Sequence, residues 1–375
     1  MSRVDPDGLQ EFSVVFTDRS LNHMSQKFQS VMRELSASLR EVYGADQVAI
    51  VPGGGTYAME SVARQFGRDA HALIVRNGWF SYRWSQIFEA GGFARETTIA
   101  MARPAGNDAQ SAYAPPPIDE VTAKIRDVRP DAVFAPHVET SAGLILPDEY
   151  ISALAAAAHE VGALMVLDCI ASGAVWVDMR ATGVDVLISA PQKGWSASPS
   201  AGLVMLSDRA AARMAETESD SFALDLKKWR AIMAAYEDGG HAYHATMPTD
   251  ALTGLRDAMQ ETREMGFEAA CKAQWRLGDA VREMLAARGL RSVAAPGFGA
   301  PGVVVSYTND PDVKSGRKFA AEGLQIAAGV PLAVGEGDGF STFRLGLFGL
   351  DKLKDVEGTV ERLRAVLDRI LPGKD

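Results

Sequence analysis

Residues 48–66 read VAIVPGGGTYAMESVARQF, and they pass from an apolar run through three consecutive glycines into a segment with helically spaced apolar residues. A buried strand, a tight glycine turn and a helix form the repeating unit of α/β proteins. Such a turn directs free backbone N–H groups and the positive end of the helix at one point, which suits a phosphate. A tight turn that holds no ligand would explain the same pattern, so both interpretations stay open here.

The pattern around this stretch predicts a large parallel sheet. From residue 23 to about 245, helical segments alternate with short apolar runs. The predicted strands are QVAIVP (47–52), HALIVRN (71–77), RETTIAM (95–101), DAVFAPH (131–137), ALMVLDCI (163–170), VDVLISA (184–190) and AGLVMLS (201–207). Strands that are apolar throughout and separated by helices indicate a mainly parallel sheet covered on both faces. We therefore predict a doubly wound α/β fold.

The pattern changes near residue 250 and predicts a second, smaller domain. One long helical run covers 251–289; two strands follow, GVVVSY (302–307) and TFRLGLF (342–348), and then a last helix, VEGTVERLRAVLDRIL (356–371). This order is typical of an α+β unit. We expect an N-terminal segment at the domain junction (1–20), a large α/β domain (21–250) and a small C-terminal α+β domain (251–375).

Composition excludes several classes of protein. The 375 residues include 38 Lys and Arg against 48 Asp and Glu, a formal net charge of -10, with no basic block. We therefore expect neither a nucleic acid nor a membrane as partner. Two cysteines, Cys169 and Cys271, are too few for a disulfide framework or a zinc site, and no metal is expected. Because no apolar run approaches about 18 residues and no secretory signal precedes residue 20, we expect a cytoplasmic protein.

Two chemically distinctive residues follow predicted strands. Asp168 ends one apolar run, and Lys193 follows the next, in ISAPQKGW (188–195). Open α/β sheets bind ligands at the carboxyl edge of their strands, so the glycine turn, Asp168 and Lys193 should converge there. A solvated surface lysine and a capping aspartate are the alternatives. A dinucleotide site is disfavoured, because the strand after the glycine turn ends in Arg76, Asn77 and Gly78 and not in an acidic residue.

An anion cradle, a carboxylate and a lysine are the three groups that pyridoxal phosphate requires. Its phosphate needs the cradle, its pyridine nitrogen needs an acid, and its aldehyde needs a lysine to form the aldimine. With these groups in this order, the chain resembles the class V, fold-type I pyridoxal-phosphate aminotransferases from about residue 23 to the end. The nearest group is that of the alanine–glyoxylate and serine–pyruvate aminotransferases.

The resemblance rests on seven motifs and implies a role for each matching residue. The motifs are GGGTYAMES (53–61), NGWFSYR (77–83), HVETSAG (137–143), LDCIASG (167–173), SAPQKGW (189–195), YHATMP (243–248) and FRLGLFG (343–349). They imply Gly54, Gly55, Thr56 and Gln192 at the phosphate, Phe80 (or Trp79) and Ile170 on the two ring faces, Ser141 (or Thr140) at the phenolic oxygen, Asp168 at the ring nitrogen and Lys193 at the aldimine.

The last two motifs imply contacts beyond the protomer and with the substrate. Tyr243 and Thr246 would reach the phosphate of the neighbouring subunit, which makes the expected active unit a homodimer with composite sites. A helix N-cap is the alternative role for Thr246. Arg344 would grip the substrate carboxylate through a bidentate pair, with a solvated edge arginine as the alternative.

The N-terminal segment departs from the family. FSVVFTDRSLNHMS (12–25) replaces a Gly-Pro-Gly-Pro loop, and SASPSAG (196–202) replaces a Pro-Pro-Gly after the lysine. The substrate pocket is therefore less predictable than the cofactor site. Arg19, Asn22 and His23 are candidates for unusual substrate contacts, with surface exposure as the alternative for each.

The resemblance predicts an enzyme that transfers an amino group by a ping-pong reaction. A small α-amino acid such as alanine or serine would be the donor, and glyoxylate or pyruvate the 2-oxo acid acceptor. A lyase or epimerase of the same fold is an alternative. A cysteine desulfurase is disfavoured because neither Cys169 nor Cys271 lies in a mobile segment. A non-catalytic phosphate-binding α/β protein is the alternative from another class.

Overall fold

The computed structural model describes residues 8–371. Its strands are β1 (Gln47–Pro52), β2 (His71–Arg76), β3 (Glu96–Met101), β4 (Arg103–Pro104), β5 (Tyr113–Ala114), β6 (Ala132–Pro136), β7 (Val138–Glu139), β8 (Leu144–Ile145), β9 (Leu164–Asp168), β10 (Val186–Ser189), β11 (Ala201–Leu206), β12 (Val303–Tyr307), β13 (Ala327–Ala328) and β14 (Thr342–Gly346). Its helices are α1 (Gln26–Tyr43), α2 (Gly55–Phe66), α3 (Trp79–Gly91), α4 (Ile118–Val128), α5 (Asp148–Glu160), α6 (Met179–Thr182), α7 (Asp208–Glu216), α8 (Leu226–Glu237), α9 (Thr249–Met265), α10 (Phe267–Ala286), α11 (Pro311–Lys314), α12 (Arg317–Ala321), α13 (Leu350–Leu353) and α14 (Val356–Ile370).

The large sheet has the order β1-β11-β10-β9-β6-β2-β3. Its strands run parallel except β11, which is antiparallel to both of its neighbours. Each of the seven strands predicted for this sheet is present. The fold class expected from the sequence, a doubly wound and mainly parallel α/β sheet, is confirmed.

The sheet is parallel because its strands can be buried on both faces. All six residues of β2 and all five of β9 are buried, so no polar face is left for solvent. Burial of each Val, Leu or Ile side chain contributes about 1.5–3 kcal/mol relative to exposure. The strands of this sheet and the helices around it share one hydrophobic core.

Helix α1 illustrates how local sequence sets an element. The Ser25 side chain caps it by accepting a hydrogen bond from the backbone N–H of Phe28, and Gly44 ends it in the left-handed conformation (φ 63°). Its apolar face, which includes Leu35 and Leu39, is fully buried in the core. The sequence FQSVMRELSASLREVYG (28–44), with apolar residues at helical spacing and a glycine at its end, predicts this helix, and the structure confirms it.

The C-terminal part contains the second sheet, in the order β12-β14-β13. The long helical run predicted for 251–289 is broken at Gly266 (φ 90°), which separates α9 from α10. The apolar residues of α9, such as Leu252 and Leu255, join the core of the large sheet, whereas Leu277 of α10 joins a separate C-terminal core. A division into two domains near residue 250 remains a proposal.

Three further features complete the description of the fold. The segment 102–117 contains a short hairpin, β4 with β5. Residues 8–25 form no helix or strand in the structure, and the backbone N–H of Leu21 donates to the Asp250 carboxylate (2.9 Å). Within residues 8–371, none of the helices combines the length and apolar character needed to cross a membrane.

Candidate active site

Asp168 and Lys193 meet at the carboxyl edge of the large sheet. Asp168 is the last residue of β9 and lies in register with Ile188 of the adjacent parallel strand β10. The chain leaves β10 at Ser189 and reaches Lys193 four residues later, so both side chains belong to the same edge. The position of Lys193 is fixed partly by Gly194, where a Cβ would lie 2.1 Å from the carbonyl oxygen of Gly173.

The Asp168 carboxyl group is buried and only partly hydrogen-bonded. One oxygen, Oδ1, accepts the backbone N–H of Ile170 (2.9 Å), and Oδ2 has no hydrogen-bond partner among residues 8–371. Burial raises the pKa of Asp168 to about 6, and the negative charge of Glu139 adds to this, although the bond from Ile170 opposes it. The free oxygen therefore needs a donor, such as a protonated ring nitrogen.

Lys193 is a half-buried amine without an ionic partner. Its Nζ makes no hydrogen bond or salt bridge within the described part of the chain, and it lies 5.4 Å from the centroid of the Phe348 ring. Burial lowers the pKa of Lys193; the Asp168 carboxylate opposes the shift, and the positive charges of Arg344 and Arg83 reinforce it. The lowered pKa increases the share of the neutral, nucleophilic amine at a given pH.

The glycine turn after β1 presents unused backbone donors. Gly54 precedes α2 without any side-chain cap, and the N–H groups of Gly55 and Thr56 have no acceptor within residues 8–371. A Cβ on Gly54 would meet nothing within 4 Å, whereas one on Gly55 would lie 2.6 Å from Cδ1 of Ile170. The turn thus leaves an open space in front of a helix N-terminus, which suits a phosphate.

Glu139 holds the start of α3 in place. Its fully buried carboxylate accepts the backbone N–H groups of Phe80 (3.2 Å) and Ser81 (2.8 Å), and also the Ser141 hydroxyl (2.7 Å). A carboxylate at a helix N-terminus is favourably placed against the helix dipole. Glu139 belongs to the motif HVETSAG (137–143), but no role for it follows from the motif alone; the signal in the sequence is an acidic residue between Val138 and Thr140.

The structure distinguishes the two hydroxyl candidates beside Glu139. The Ser141 hydroxyl donates its one proton to Glu139 and accepts the backbone N–H of Trp79 (3.0 Å). The Thr140 hydroxyl makes no hydrogen bond to any described residue. A hydroxyl has a single proton to donate, so Thr140 is the better placed of the two to bind a ligand oxygen.

Phe80 lies between two arginines. The guanidinium carbons of Arg83 and Arg344 lie 5.3 and 5.5 Å from the centroid of its ring. The neighbouring Trp79 contacts Tyr82 instead, with ring centroids 5.9 Å apart. Both arginines also lower the pKa of Lys193. Phe80 therefore lies in the same region as Arg344 and Lys193.

Arg344 carries an unpaired charge into this region. It occupies β14, the central strand of the second sheet, and its Nε donates to the carbonyl oxygen of Ala328 (2.9 Å). Its terminal nitrogens have no partner among residues 8–371. Burial lowers the pKa of Arg344, and the Glu139 carboxylate opposes this shift. Because its terminal nitrogens are free, the guanidinium is available to an incoming anion.

Three expected site residues make no hydrogen bond to the rest of this group within residues 8–371. Gln192 is exposed, and Tyr243 and Thr246 are exposed while their hydroxyl groups contact each other (3.1 Å). Thr246 does not cap a helix, because α9 begins at Thr249 with Pro248 before it. Within residues 8–371, no hydrogen bond joins any of the three to the glycine turn.

The N-terminal candidates have mostly structural contacts. Asn22 donates to Glu11 (2.8 Å) and accepts the backbone N–H of Met24 (2.8 Å), whereas Arg19 is exposed. His23 is only 6% exposed, so the expectation of surface exposure is wrong for this residue. Its ring packs against Phe16 and Tyr243 at centroid distances of 5.5 Å.

Two more residues near Asp168 had no role in the sequence analysis. Arg83 donates from Nη1 to the Thr56 hydroxyl (3.0 Å), which connects α3 to the glycine turn. His137 is buried, donates its backbone N–H to the Asp168 carbonyl oxygen (2.8 Å) and contacts the Ser172 hydroxyl through Nδ1 (2.7 Å). Burial lowers the pKa of His137 to about 3, which makes it a neutral support of the loop.

Known proteins resemble this chain over most of its length. A 2-aminoethylphosphonate–pyruvate transaminase from Burkholderia mallei is 31% identical over 359 residues, which cover 92% of this chain and 89% of the relative. A protein named soluble hydrogenase, small subunit, from Synechococcus is 28% identical over 351 residues, which cover 92% and 87%. The crystal structure of an alanine–glyoxylate aminotransferase from Nostoc has a TM-score of 0.80 at 22% identity, covers 94% of this chain and 89% of its own, and shows a shared fold.

The family itself is established by a match to most of the sequence. The family model described as aminotransferase class-V matches residues 10–308, which include the glycine turn, Asp168 and Lys193. The family expected from the motifs is confirmed, and with it an enzyme of the aminotransferase type. The chain belongs to the class V aminotransferases.

Proposed function

We propose that this aminotransferase binds pyridoxal phosphate at the edge formed by Asp168 and Lys193. The observation that carries the proposal is the half-buried Lys193 amine, which lies near Asp168 and has no ionic partner in the described chain. The unused N–H groups of the glycine turn fit a phosphate, and Oδ2 of Asp168 fits a protonated ring nitrogen. Each unpartnered group thus matches one feature of this cofactor.

Bound pyridoxal phosphate would supply a carbonyl that condenses with amines and a ring that withdraws electrons from the substrate α-carbon. In its neutral form, Lys193 would accept the proton of that α-carbon at Nζ and pass it to the former carbonyl carbon of the cofactor. The lowered pKa of Lys193 makes the neutral form accessible. The Asp168 carboxylate would accept a charge-assisted hydrogen bond from the protonated ring nitrogen at Oδ2.

The remaining residues would hold and orient the cofactor. We assign Phe80 and Ile170 to the two ring faces, and Gly54, Gly55, Thr56 and Gln192 to the phosphate. At the phenolic oxygen we place Thr140 ahead of Ser141, because the one proton of Ser141 is already donated to Glu139. These assignments rest on the class V motifs together with the contacts described above.

We propose a small α-amino acid as donor and a 2-oxo acid, pyruvate or glyoxylate, as acceptor. Arg344 offers two free terminal nitrogens in a planar fork, which matches a substrate carboxylate. Because donor and acceptor would use the same carboxylate site in turn, one arginine serves both half-reactions.

The names of the relatives suggest 2-aminoethylphosphonate as a second donor to test. Those 31% identical to this chain are named 2-aminoethylphosphonate–pyruvate transaminases. A phosphonate is an oxyanion that the Arg344 fork could also bind. Initial rates with alanine, serine and 2-aminoethylphosphonate, each paired with pyruvate, glyoxylate and 2-oxoglutarate, would identify the substrates.

Other enzymes of the same fold, such as a lyase, an epimerase or a desulfurase, would give different experimental outcomes. A lyase or epimerase would convert its substrate without any 2-oxo acid, so turnover that needs no acceptor would contradict the proposal. A desulfurase is not supported, because burial raises the pKa of Cys169 well above its usual range and keeps the thiol unreactive.

We also propose a homodimer whose sites are shared between subunits. Tyr243 is 54% exposed in the protomer, and it lies near further exposed apolar side chains such as Phe222, which contacts His244 of the same motif. An exposed tyrosine and threonine that hydrogen-bond each other could turn towards a neighbour's phosphate. A cytoplasmic location stays a prediction from the sequence.

Borohydride labelling tests the proposal at one atom. Protein incubated with pyridoxal phosphate and then reduced should carry the cofactor on Lys193, as located by peptide mapping, because this amine is the one next to Asp168. A Lys193→Ala variant is the matched control and should carry no label at the site. A label on another lysine of the wild type would overturn the assignment.

A further inference from the structure

Arg83 is tied to the glycine turn without an ionic partner of its own. It lies in the second turn of α3, and its Nη1 donates to Oγ1 of Thr56 (3.0 Å). Its guanidinium carbon also lies 5.3 Å from the centroid of the Phe80 ring. No salt bridge to Arg83 is formed within residues 8–371. This cation at the glycine turn thus has no carboxylate within salt-bridge distance among the described residues, although its charge acts on Asp168 from further away.

The bond from Arg83 fixes what the Thr56 hydroxyl can do. A hydroxyl has one proton to donate and can accept through its lone pairs, and a guanidinium can only donate. Because Oγ1 accepts from Arg83, its own proton points elsewhere and finds no acceptor among the described residues. The hydroxyl proton and the N–H groups of Gly55 and Thr56 are therefore all unused donors at the start of α2.

The glycine turn itself contains no cation. Residues 52–57 read PGGGTY, so backbone N–H groups and one hydroxyl are the donors that the turn supplies. A phosphate carries up to two negative charges, and a full positive charge nearby strengthens each hydrogen bond to it. Arg83 is the arginine that contacts this turn through a hydrogen bond.

We propose that Arg83 is a positioning residue of the cofactor-phosphate cradle. It holds the Thr56 hydroxyl as an acceptor, so that the proton of this hydroxyl is directed to the phosphate, and it adds a positive charge to the cradle. The inference rests on the proposed binding of pyridoxal phosphate and adds a residue outside the glycine turn. Arg344 lies near the same Phe80 ring but forms no hydrogen bond to Thr56 in the described part of the chain, so it serves as the matched arginine.

The test compares two ligands that differ only in the phosphate. Pyridoxamine 5′-phosphate and pyridoxamine form no bond to Lys193, so their affinities report non-covalent binding. Both are titrated into cofactor-free protein at fixed ionic strength, followed by tryptophan fluorescence. Arg83→Gln removes the positive charge and the bond that orients Thr56, so binding of the phosphorylated ligand should weaken by about 10- to 100-fold, the range for one hydrogen bond to a charged group. The affinity for pyridoxamine, which has no phosphate, should change by less than about twofold, as expected for a substitution that removes no contact to the ligand.

Four further variants separate the position of the charge from the charge itself. Arg344→Gln removes the same charge beside Phe80 and should weaken the two ligands by the same factor. Thr56→Val should cause a phosphate-selective loss, and the double variant Arg83→Gln/Thr56→Val should lose less than the product of the single losses, because the two residues act together. Arg83→Lys keeps the charge and should show a smaller phosphate-selective loss than Arg83→Gln.

The outcomes distinguish the inference from the proposed function. An equal loss for both ligands in Arg83→Gln and Arg83→Lys, or a double variant whose loss equals the product of the single losses, would overturn the role of Arg83 and leave the proposed function standing. Failure of the wild-type protein to bind pyridoxamine 5′-phosphate would overturn both. If Arg83→Gln does not fold, the comparison rests on Arg83→Lys, with the same ratio of affinities as its readout.

Discussion

Ser81 is bound twice to one carboxyl oxygen of Glu139, by its backbone N–H at 2.8 Å and by its hydroxyl at 2.7 Å. The same carboxylate accepts the N–H of Phe80, so the first turn of α3 is fixed to the segment that follows β6. The site depends on this contact, because Phe80 and Arg83 both project from the helix that Glu139 anchors.

Glu139→Gln should destabilise the fold. An amide presents two N–H donors where the helix also presents donors, so at least one buried bond is lost, at a cost of about 1.5–3 kcal/mol for a bond to a charged group. Urea unfolding at pH 7 measures the change. Ser141→Ala is the milder comparison, since it removes one hydroxyl and leaves the carboxylate bound to α3; an equal cost for both variants would contradict the anchoring role.

Asp168→Asn should stabilise the cofactor-free protein at neutral pH. The folded pKa of about 6 lies above the ordinary value of 3.8, so folding disfavours the ionised carboxylate. The folded state therefore loses stability as pH rises from about 4 to 6, and above this window the penalty approaches about 3 kcal/mol. Unfolding at pH 4 and pH 7.5 should show a gain for Asp168→Asn only at the higher pH, while transaminase activity falls. A gain of equal size at both values would mean that the charge is not its cause.

Two glycines should respond in opposite ways to alanine. A Cβ at Gly194 would lie 2.1 Å from the backbone of Gly173, so Gly194→Ala should cost about 1–3 kcal/mol in unfolding free energy as an overpacked site. A Cβ at Gly54 meets nothing, so Gly54→Ala should fold normally and weaken pyridoxal phosphate binding by filling the cradle. Normal cofactor affinity in Gly54→Ala would place the phosphate elsewhere.

Arg344→Ala should reduce kcat/KM for donor and acceptor alike. Loss of a charge-assisted pair to the substrate anion is worth about 1.5–3 kcal/mol, or about 10- to 100-fold. Arg344→Lys keeps the charge but not the fork, and should fall between the wild type and Arg344→Ala. The cofactor absorption spectrum should be nearly unchanged in both. Unaltered KM values in Arg344→Ala would contradict the anchor role, and Arg19 would be the next residue to change.

Tyr243→Phe tests whether sites are shared between subunits. If the hydroxyl reaches a neighbour's phosphate, Lys193→Ala and Tyr243→Phe protein, each impaired alone, should form mixed dimers in which one site has both intact residues. Activity should therefore rise when the two are mixed and exchanged. Mixtures no more active than the sum of the parts, with subunit exchange verified by mass, would contradict a composite site.

The sequence alone determined the large sheet and the family. The strands inside the sheet are mostly apolar, as burial on both faces requires, whereas the edge strand β3 is largely exposed. The turns between the strands carry glycine and proline signals that do not depend on distant contacts. Asp168 and Lys193 could be paired in advance because residues at the ends of parallel strands share one edge. Motif order then identified the class V family, which the comparison confirmed.

Only the tertiary structure revealed which polar groups are already occupied. The choice between Ser141 and Thr140 depends on where one hydroxyl proton points, and this depends on Glu139 and Trp79, which no local pattern specifies. The break at Gly266 likewise arises because α9 packs on the large core and α10 on another, against the helical periodicity that runs through both. The contact of Arg83 with Thr56 joins residues 27 positions apart through the packing of two helices. Such side-chain contacts follow from how whole elements are placed, and that placement is set by the packing of the entire core.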